Sequence, residues 1–244
     1  MTIRPEDTEI EDTEITGTLA LVGSGEFLPP IEPLDRLLLE RLAEPARVVV
    51  LPTASAPDGP GVPERWAKMG VEHFTRLGAA AAPVMLLTRA DAESEALAAQ
   101  IAAANFVYFS GGKPQYLVTT LRDTPCWHAI AGVFAAGGVV AGCSAGAMAL
   151  ADRMVDFPRL WRTLPALGLA SGLAVIPHFD ELPGMFTNLG RLASRQTSIV
   201  GVPGSTGLVG SNHHWTAQGR SSITVFTSQG KKTYAPGEPV PIAD

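Results

Sequence analysis

Gly138-Val139-Val140-Ala141-Gly142-Cys143-Ser144-Ala145-Gly146-Ala147-Met148-Ala149-Leu150-Ala151 sets an apolar, strand-like run directly against a helix-like one. The junction reads G-x-S-x-G, with Ser144 at its centre. Small residues on both sides let the backbone take a strained turn that lifts one hydroxyl above the end of a sheet. The same five letters outside a strand–turn–helix context would be an ordinary glycine-rich turn. Here both flanks fit, and Ser144 is expected to be a nucleophile that attacks carbonyl carbon.

Working outward, near-continuous apolar runs recur at Leu19–Gly23, Arg47–Pro52, Pro83–Leu87, Phe106–Ser110 and Val139–Cys143. Helix-like stretches alternate with them at Ile31–Ala43, Pro63–Leu77, Ala92–Ala104 and Pro114–Ala136, the last in one or two pieces. Strands without polar alternation, separated by helices, predict an α/β three-layer sandwich with a mostly parallel central sheet and helices on both faces. Further on come Leu173–Pro177, a helix around Met185–Ser194, and the strand-like Ile199–Val202 and Leu208–Gly210. Trp215–Phe226 and Thr233–Val240, split by Gln218-Gly219 and Gln229-Gly230-Lys231, predict antiparallel hairpins on one edge of the sheet.

The chain has 244 residues, 46% apolar and 17% charged, enough to bury a substantial core. Of its net charge of −6, five units lie in residues 1–16, where Glu6-Asp7-Thr8-Glu9-Ile10 is followed by Glu11-Asp12-Thr13-Glu14-Ile15. So polar a segment is expected to be a disordered acidic tail, with residues 17–244 forming a single α/β domain. No basic stripe suits nucleic acid, and no apolar run or lipidation signal points to a membrane. Cys126 and Cys143 make neither a disulfide framework nor a metal-ligand spacing. A cytoplasmic protein without metal or organic cofactor is the expectation.

A serine hydroxyl needs a base, usually histidine. His73 lies among Trp66, Phe74 and Leu77, and His128 follows Trp127, as packed or surface residues would. His213 and His214 adjoin Trp215 in a late turn. Only His178 stands just past an apolar strand, where the chemistry of open α/β sheets sits. A carboxylate must then fix the imidazole, and Asp152, Asp156, Asp180 and Glu181 compete for that place. Asp180 could instead cap the following turn. Oxyanion donors are expected at the N–H of Ala145 and within Gly111-Gly112, where glycine lets the backbone come close. Cys143, at the strand end, reads as a small buried hydrophobe.

These residues resemble the aspartyl dipeptidase and cyanophycinase family of serine peptidases, built on the class-I glutamine amidotransferase-like fold. The resemblance runs from about Leu19 to Phe226. It rests on Leu21-Val22-Gly23-Ser24-Gly25, Phe109-Ser110-Gly111-Gly112, Gly142-Cys143-Ser144-Ala145-Gly146-Ala147, Ile176-Pro177-His178-Phe179 and Arg191-Leu192. It implies Ser144 as nucleophile, His178 as base, and Gly112 with Ala145 as oxyanion donors. The dipeptidase branch has an aspartate in an Asp-x-Pro context, matched by Asp156-Phe157-Pro158. The cyanophycinase branch has a later glutamate, for which Gly201-Val202-Pro203-Gly204 offers none. The resemblance therefore favours Asp156. Members that cut beside aspartate carry an arginine three residues before the Arg-Leu pair, where this chain has Asn188, and Lys113 replaces an Asn-like residue.

The expectation is a peptidase hydrolysing small peptides through Ser144, His178 and Asp156. Substrate contacts are expected from Gly111, Gly112, Ala145, Lys113, Gln115, Asn188 and Arg191, and the candidate assembly is a homodimer. Against it stand a serine esterase, in which the histidine usually follows the late strands, and an inactive ligand-binding member of the same fold.

Overall fold

The computed structural model describes residues 17–156, 162–181, 197–211 and 214–242. The acidic segment 1–16, the helix expected around Met185–Ser194, Asn188, Arg191 and His213 lie outside the described residues. The first half alternates as β1 (Thr18–Val22), α1 (Glu32–Glu40), β2 (Arg47–Leu51), α2 (Val62–Arg76), β3 (Ala80–Pro83), α3 (Arg89–Ala92), α4 (Glu95–Ala102) and β4 (Phe106–Phe109). Then come α5 (Pro114–Leu121), α6 (Pro125–Ala135), β5 (Val139–Cys143), α7 (Ala145–Leu150), β6 (Ala151–Val155), β7 (Thr163–Pro165) and β8 (Ala170–Ile176). The remaining elements among the described residues are strands: β9 (Ser198–Gly201), β10 (Thr206–Ser211), β11 (His214–Gly219), β12 (Ile223–Thr227), β13 (Gly230–Tyr234) and β14 (Pro239–Pro241).

Period-2 alternation divides the buried side chains of the first strands between two faces. Ala20, Val22, Val48, Val50, Phe106, Tyr108, Val139 and Ala141 join Leu34, Leu38 and Phe74 of α1 and α2 in one cluster. Leu19, Leu21, Val49, Leu51, Val107, Phe109 and Val140 face the other way, with Ile101, Leu117 and Ile130 of α4, α5 and α6. A strand covered on both sides has no polar face, so these runs are uninterruptedly apolar. β1, β5, β4, β2 and β3 pair in parallel in that order, the parallel α/β core expected from the sequence.

Two features depart from the sequence expectation. β3 is Ala80–Pro83 rather than Pro83–Leu87, because the ladder with Arg47–Val50 runs to Pro83, while Val84 and Leu86 are buried beyond it. Proline has no N–H for the ladder and is tolerated at this sheet edge. The helical stretch Ala92–Ala104 is α3 and α4, each with its own cap. Thr88 accepts Asp91 N–H in a capping box, and Ser94 accepts Leu97 N–H.

The larger departure is a second sheet. The first has eight strands, β14-β11-β10-β1-β5-β4-β2-β3, and the second has six, β13-β12-β9-β8-β6-β7. The late hairpins therefore do not share one edge. β11 and β14 extend the large sheet, whereas β12 and β13 extend the small one. β8, which precedes His178, lies in the small sheet between β6 and β9 and pairs in parallel with both. Leu173, Val175, Val200, Val202 and Val225 still share one apolar cluster with Leu19, Leu21 and the α7 residues Ala147, Met148 and Leu150. No helix among the described residues is long and apolar enough to cross a membrane.

Candidate active site

β5 ends in Cys143, and the chain turns at Ser144 with φ 52° and ψ −108° before α7 begins. A non-glycine residue there is strained by roughly 1–3 kcal/mol, which the surrounding structure must offset. Two contacts hold it. Ser144 N–H donates to Val22 O at 2.9 Å, and Met148 N–H closes the first turn of α7 on Ser144 O at 3.1 Å. The small residues of the motif are required by close approach. A Cβ at Gly142 would lie 2.5 Å from Gly146 C, and one at Gly146 would lie 2.8 Å from Phe109 O.

From the small sheet, β8 delivers His178, whose φ is also positive at 52°. Phe179 N–H anchors this turn to Val202 O at 3.2 Å. His178 Nε2 lies 3.0 Å from Ser144 Oγ, and Nδ1 lies 3.1 Å from Glu181 Oε1. The tautomer that serves both bonds keeps its proton on Nδ1, so Nε2 accepts from the serine hydroxyl. Glu181 N–H returns to His178 O at 3.0 Å, closing the turn that brings the carboxylate under the ring. Ser24 Oγ also reaches Glu181 Oε1, at 3.5 Å. His178 is 38% and Glu181 59% exposed, so this pair adds at most about 1 kcal/mol to stability. Its geometric effect, a fixed imidazole, is the larger one.

Two of the other carboxylates considered for this place have partners elsewhere. Asp156, favoured by the sequence resemblance, is buried and takes Arg162 Nε on Oδ2 at 2.5 Å. Asp180 Oδ1 accepts Gly204 N–H at 2.9 Å, a bond across 24 residues rather than a cap on the turn that follows it. Spacing could not separate these residues, because the choice depends on how the chain after β8 turns back.

The loop after β4 passes against the serine. A Cβ on Gly111 would lie 3.5 Å from Ser144 Cβ. Gly112, at φ +143°, abuts the Ala54 carbonyl so closely that a side chain there would collide with it. Gly111 N–H donates to Glu26 Oε1 at 2.9 Å and so is not free to bind an oxyanion. Among the described residues no acceptor takes the N–H of Gly112, and Ala145 N–H opens α7, where helical N–H groups have no internal partner.

Glu26 was missed in the sequence reading. It is buried, and its second oxygen accepts the thiol of Cys143 at 3.0 Å. Burial, reinforced by the Glu26 charge, holds the Cys143 thiol well above the ordinary cysteine range. Cys143 is therefore an inert buried side chain, as its position before the elbow suggested. A lone acid three residues past the apolar Leu19–Gly23 run was the available signal for Glu26. Lys113 is exposed with Nζ 3.2 Å from Asp58 Oδ1, and Gln115 is exposed on the first turn of α5. Both border a cavity of about 360 Å³ that Asp156 also lines. The remaining histidines stand apart: His73 is buried against Asp35, and His128 and His214 are exposed.

Residues 19–214 match the family model described as Peptidase family S51. The chain belongs to that family. It is accordingly a serine-type peptidase. The crystal structure of a peptidase from an acI-B1 Actinobacterium is similar to this S51 peptidase at 30% identity and a TM-score of 0.82, covering 93% of this chain and 97% of that one. A Listeria monocytogenes EGD-e protein named for peptidase E shares the fold at 18% identity and a TM-score of 0.56, over 90% of this chain and 98% of its own. A search of the curated proteins returned no match.

Proposed function

We propose that this S51 peptidase hydrolyses small peptides through Ser144, His178 and Glu181. The observation that carries the reading is the continuous line Ser144 Oγ, His178 Nε2, His178 Nδ1, Glu181 Oε1, with spacings of 3.0 and 3.1 Å. Ser144 Oγ attacks the amide carbonyl carbon as its proton passes to Nε2, and the carbonyl π pair moves onto oxygen. The N–H groups of Gly112 and Ala145 receive that oxyanion. Collapse breaks the C–N bond, and the imidazolium, steadied by Glu181, returns the proton to the leaving amine. Water then repeats the sequence on the acyl-enzyme, freeing the acid and Ser144. A cavity of about 360 Å³, lined by Met148 one turn from Ser144 and by Lys113 next to Gly112, fits one substrate side chain rather than a folded protein segment.

The test is hydrolysis of a dipeptide panel by wild type, Ser144→Ala, Glu181→Gln and Asp156→Asn. Ser144→Ala should abolish turnover and labelling by a fluorophosphonate. Glu181→Gln should lower kcat by roughly 10²–10⁴, the range of a lost orienting acid or general-base function. Asp156→Asn should act mainly on KM. A larger kcat loss from Asp156→Asn than from Glu181→Gln would overturn the assignment of the carboxylate. Undiminished turnover in Ser144→Ala would overturn the reading as a whole.

A further inference from the structure

The cavity of about 360 Å³ is lined by the apolar Met148, Met154, Val155 and Leu164, by the buried carboxylate of Asp156 and by the exposed Lys113. Met148 lies one turn along α7 from Ser144, and Met154 and Val155 belong to β6 and Leu164 to β7. Met148, Met154 and Val155 are buried, and Leu164 is half-buried. Of the charged lining residues, Lys113 is paired with Asp58 at 3.2 Å and Asp156 with Arg162 at 2.5 Å. Lys113 directly follows Gly112, and Met148 N–H bonds to Ser144 O. The cavity is thus lined from the chain directly after Gly112 and from the first turn of the helix that Ser144 opens, the two elements that would hold the reacting carbonyl.

We infer that this cavity receives the side chain of the residue whose carbonyl is attacked, and that it selects an unbranched or γ-branched apolar side chain such as methionine or leucine over an acidic one. The inference rests on Ser144 being the nucleophile. An acidic side chain needs an unpaired cation in its pocket, and the basic residue among the described lining is Lys113, which sits beside the carboxylate of Asp58. Lys113 is exposed and its surface pair with Asp58 is weak, so that bond alone does not decide the matter. The apolar lining decides it. Two methionines, a valine and a leucine would strip water from a carboxylate and return no hydrogen bond, whereas an apolar side chain loses only unfavourable hydration. Methionine also moulds to different occupants, so the selection is for length and apolarity rather than for one shape.

Aminoacyl p-nitroanilides of leucine, methionine, alanine, aspartate and lysine supply the measurement. Leucine and methionine should exceed alanine at least about tenfold in kcat/KM, since each methylene in an apolar pocket is worth roughly 10-fold or more. They should exceed aspartate by about a hundredfold on the same reasoning. Leu164→Lys, which sets a cation in the half-buried wall, should narrow or reverse the leucine-to-aspartate ratio, and Leu164→Ala should weaken the preference for long side chains. Diphenyl aminoalkylphosphonates bearing leucine-like or aspartate-like side chains give a second readout, the rate at which Ser144 is phosphonylated, which does not require amide turnover. Faster labelling by the aspartate-like reagent, or a ratio unmoved by both Leu164 variants, would overturn the apolar pocket while leaving Ser144 as nucleophile. Failure of every reagent to label Ser144 would overturn both readings together.

Discussion

Glu26 Oε1 accepts the backbone N–H of Gly111 at 2.9 Å, across 85 residues of sequence. The bond ties the loop after β1 to the loop that carries Gly112 past Ser144. Glu26→Ala leaves a buried N–H and a buried thiol without an acceptor, at a stability cost of about 1–3 kcal/mol. The loop is then free to move by tenths of an ångström, and kcat should fall by roughly 10- to 100-fold, because donor placement matters at that scale. Glu26→Gln keeps an acceptor oxygen for Gly111 and should recover most of the loss. Steady-state kinetics and thermal melts of both variants check this, and equal kcat in Glu26→Ala and wild type would refute the positioning role.

Ser144 sits at φ 52° and ψ −108°, a conformation glycine adopts without penalty. Ser144→Gly should relieve about 1–3 kcal/mol of strain against roughly 0.5–1 kcal/mol of extra chain entropy. Both Ser144→Gly and Ser144→Ala should be inactive, but the glycine variant should melt higher, by about 2–4 °C for each kcal/mol in a chain of this size. A glycine variant that melts below the alanine variant would show that the turn is not strained in the folded protein.

Burial raises both thiols, Cys126 to about 11 and Cys143 further. Iodoacetamide at pH 8 should leave both unmodified in the native protein and should not slow turnover, while a fluorophosphonate inactivates it. Intact mass before and after unfolding in urea is the measurement, with two carbamidomethyl groups appearing only after unfolding.

Asp35 is buried with His73 Nε2 at 2.8 Å from Oδ2, while Oδ1 has no partner among the described residues. Burial raises its pKa above the ordinary 3.8, partly offset by the His73 hydrogen bond. A folded-state pKa above the unfolded one means that the native protein holds the proton longer. This group's contribution to stability is therefore full below 3.8 and is lost as pH rises through the raised folded value. Asparagine does not titrate, so Asp35→Asn should cost less stability at pH 7 than at pH 4. Urea unfolding of both proteins at the two pH values tests the sign, and a larger cost at pH 7 would contradict it.

The parallel core and the strand–turn–helix around Ser144 were legible because their signals are local. The run Val139–Cys143 needs only its own residues to read as a buried strand, and Gly142 and Gly146 mark the close approach within one turn. The second sheet was not legible, because β11 and β12 have similar composition and differ only in which distant strand they meet, β14 in one case and β9 in the other. Glu26 escaped for the same reason, since its two partners lie 85 and 117 residues away. The competition between Asp156 and Glu181 is a matter of one tight turn after His178, which no spacing rule encodes.

Ser144 grows out of the eight-stranded sheet and His178 out of the six-stranded one. On the proposed mechanism neither half contains a working pair, so a copy that has built one layer and not yet seated the other carries a serine with no proton acceptor. The hydrolase should thereby be silent on the ribosome, in partly melted copies and in fragments. Its onset should coincide with the last docking event of folding, which makes peptide cleavage itself a clock for that event.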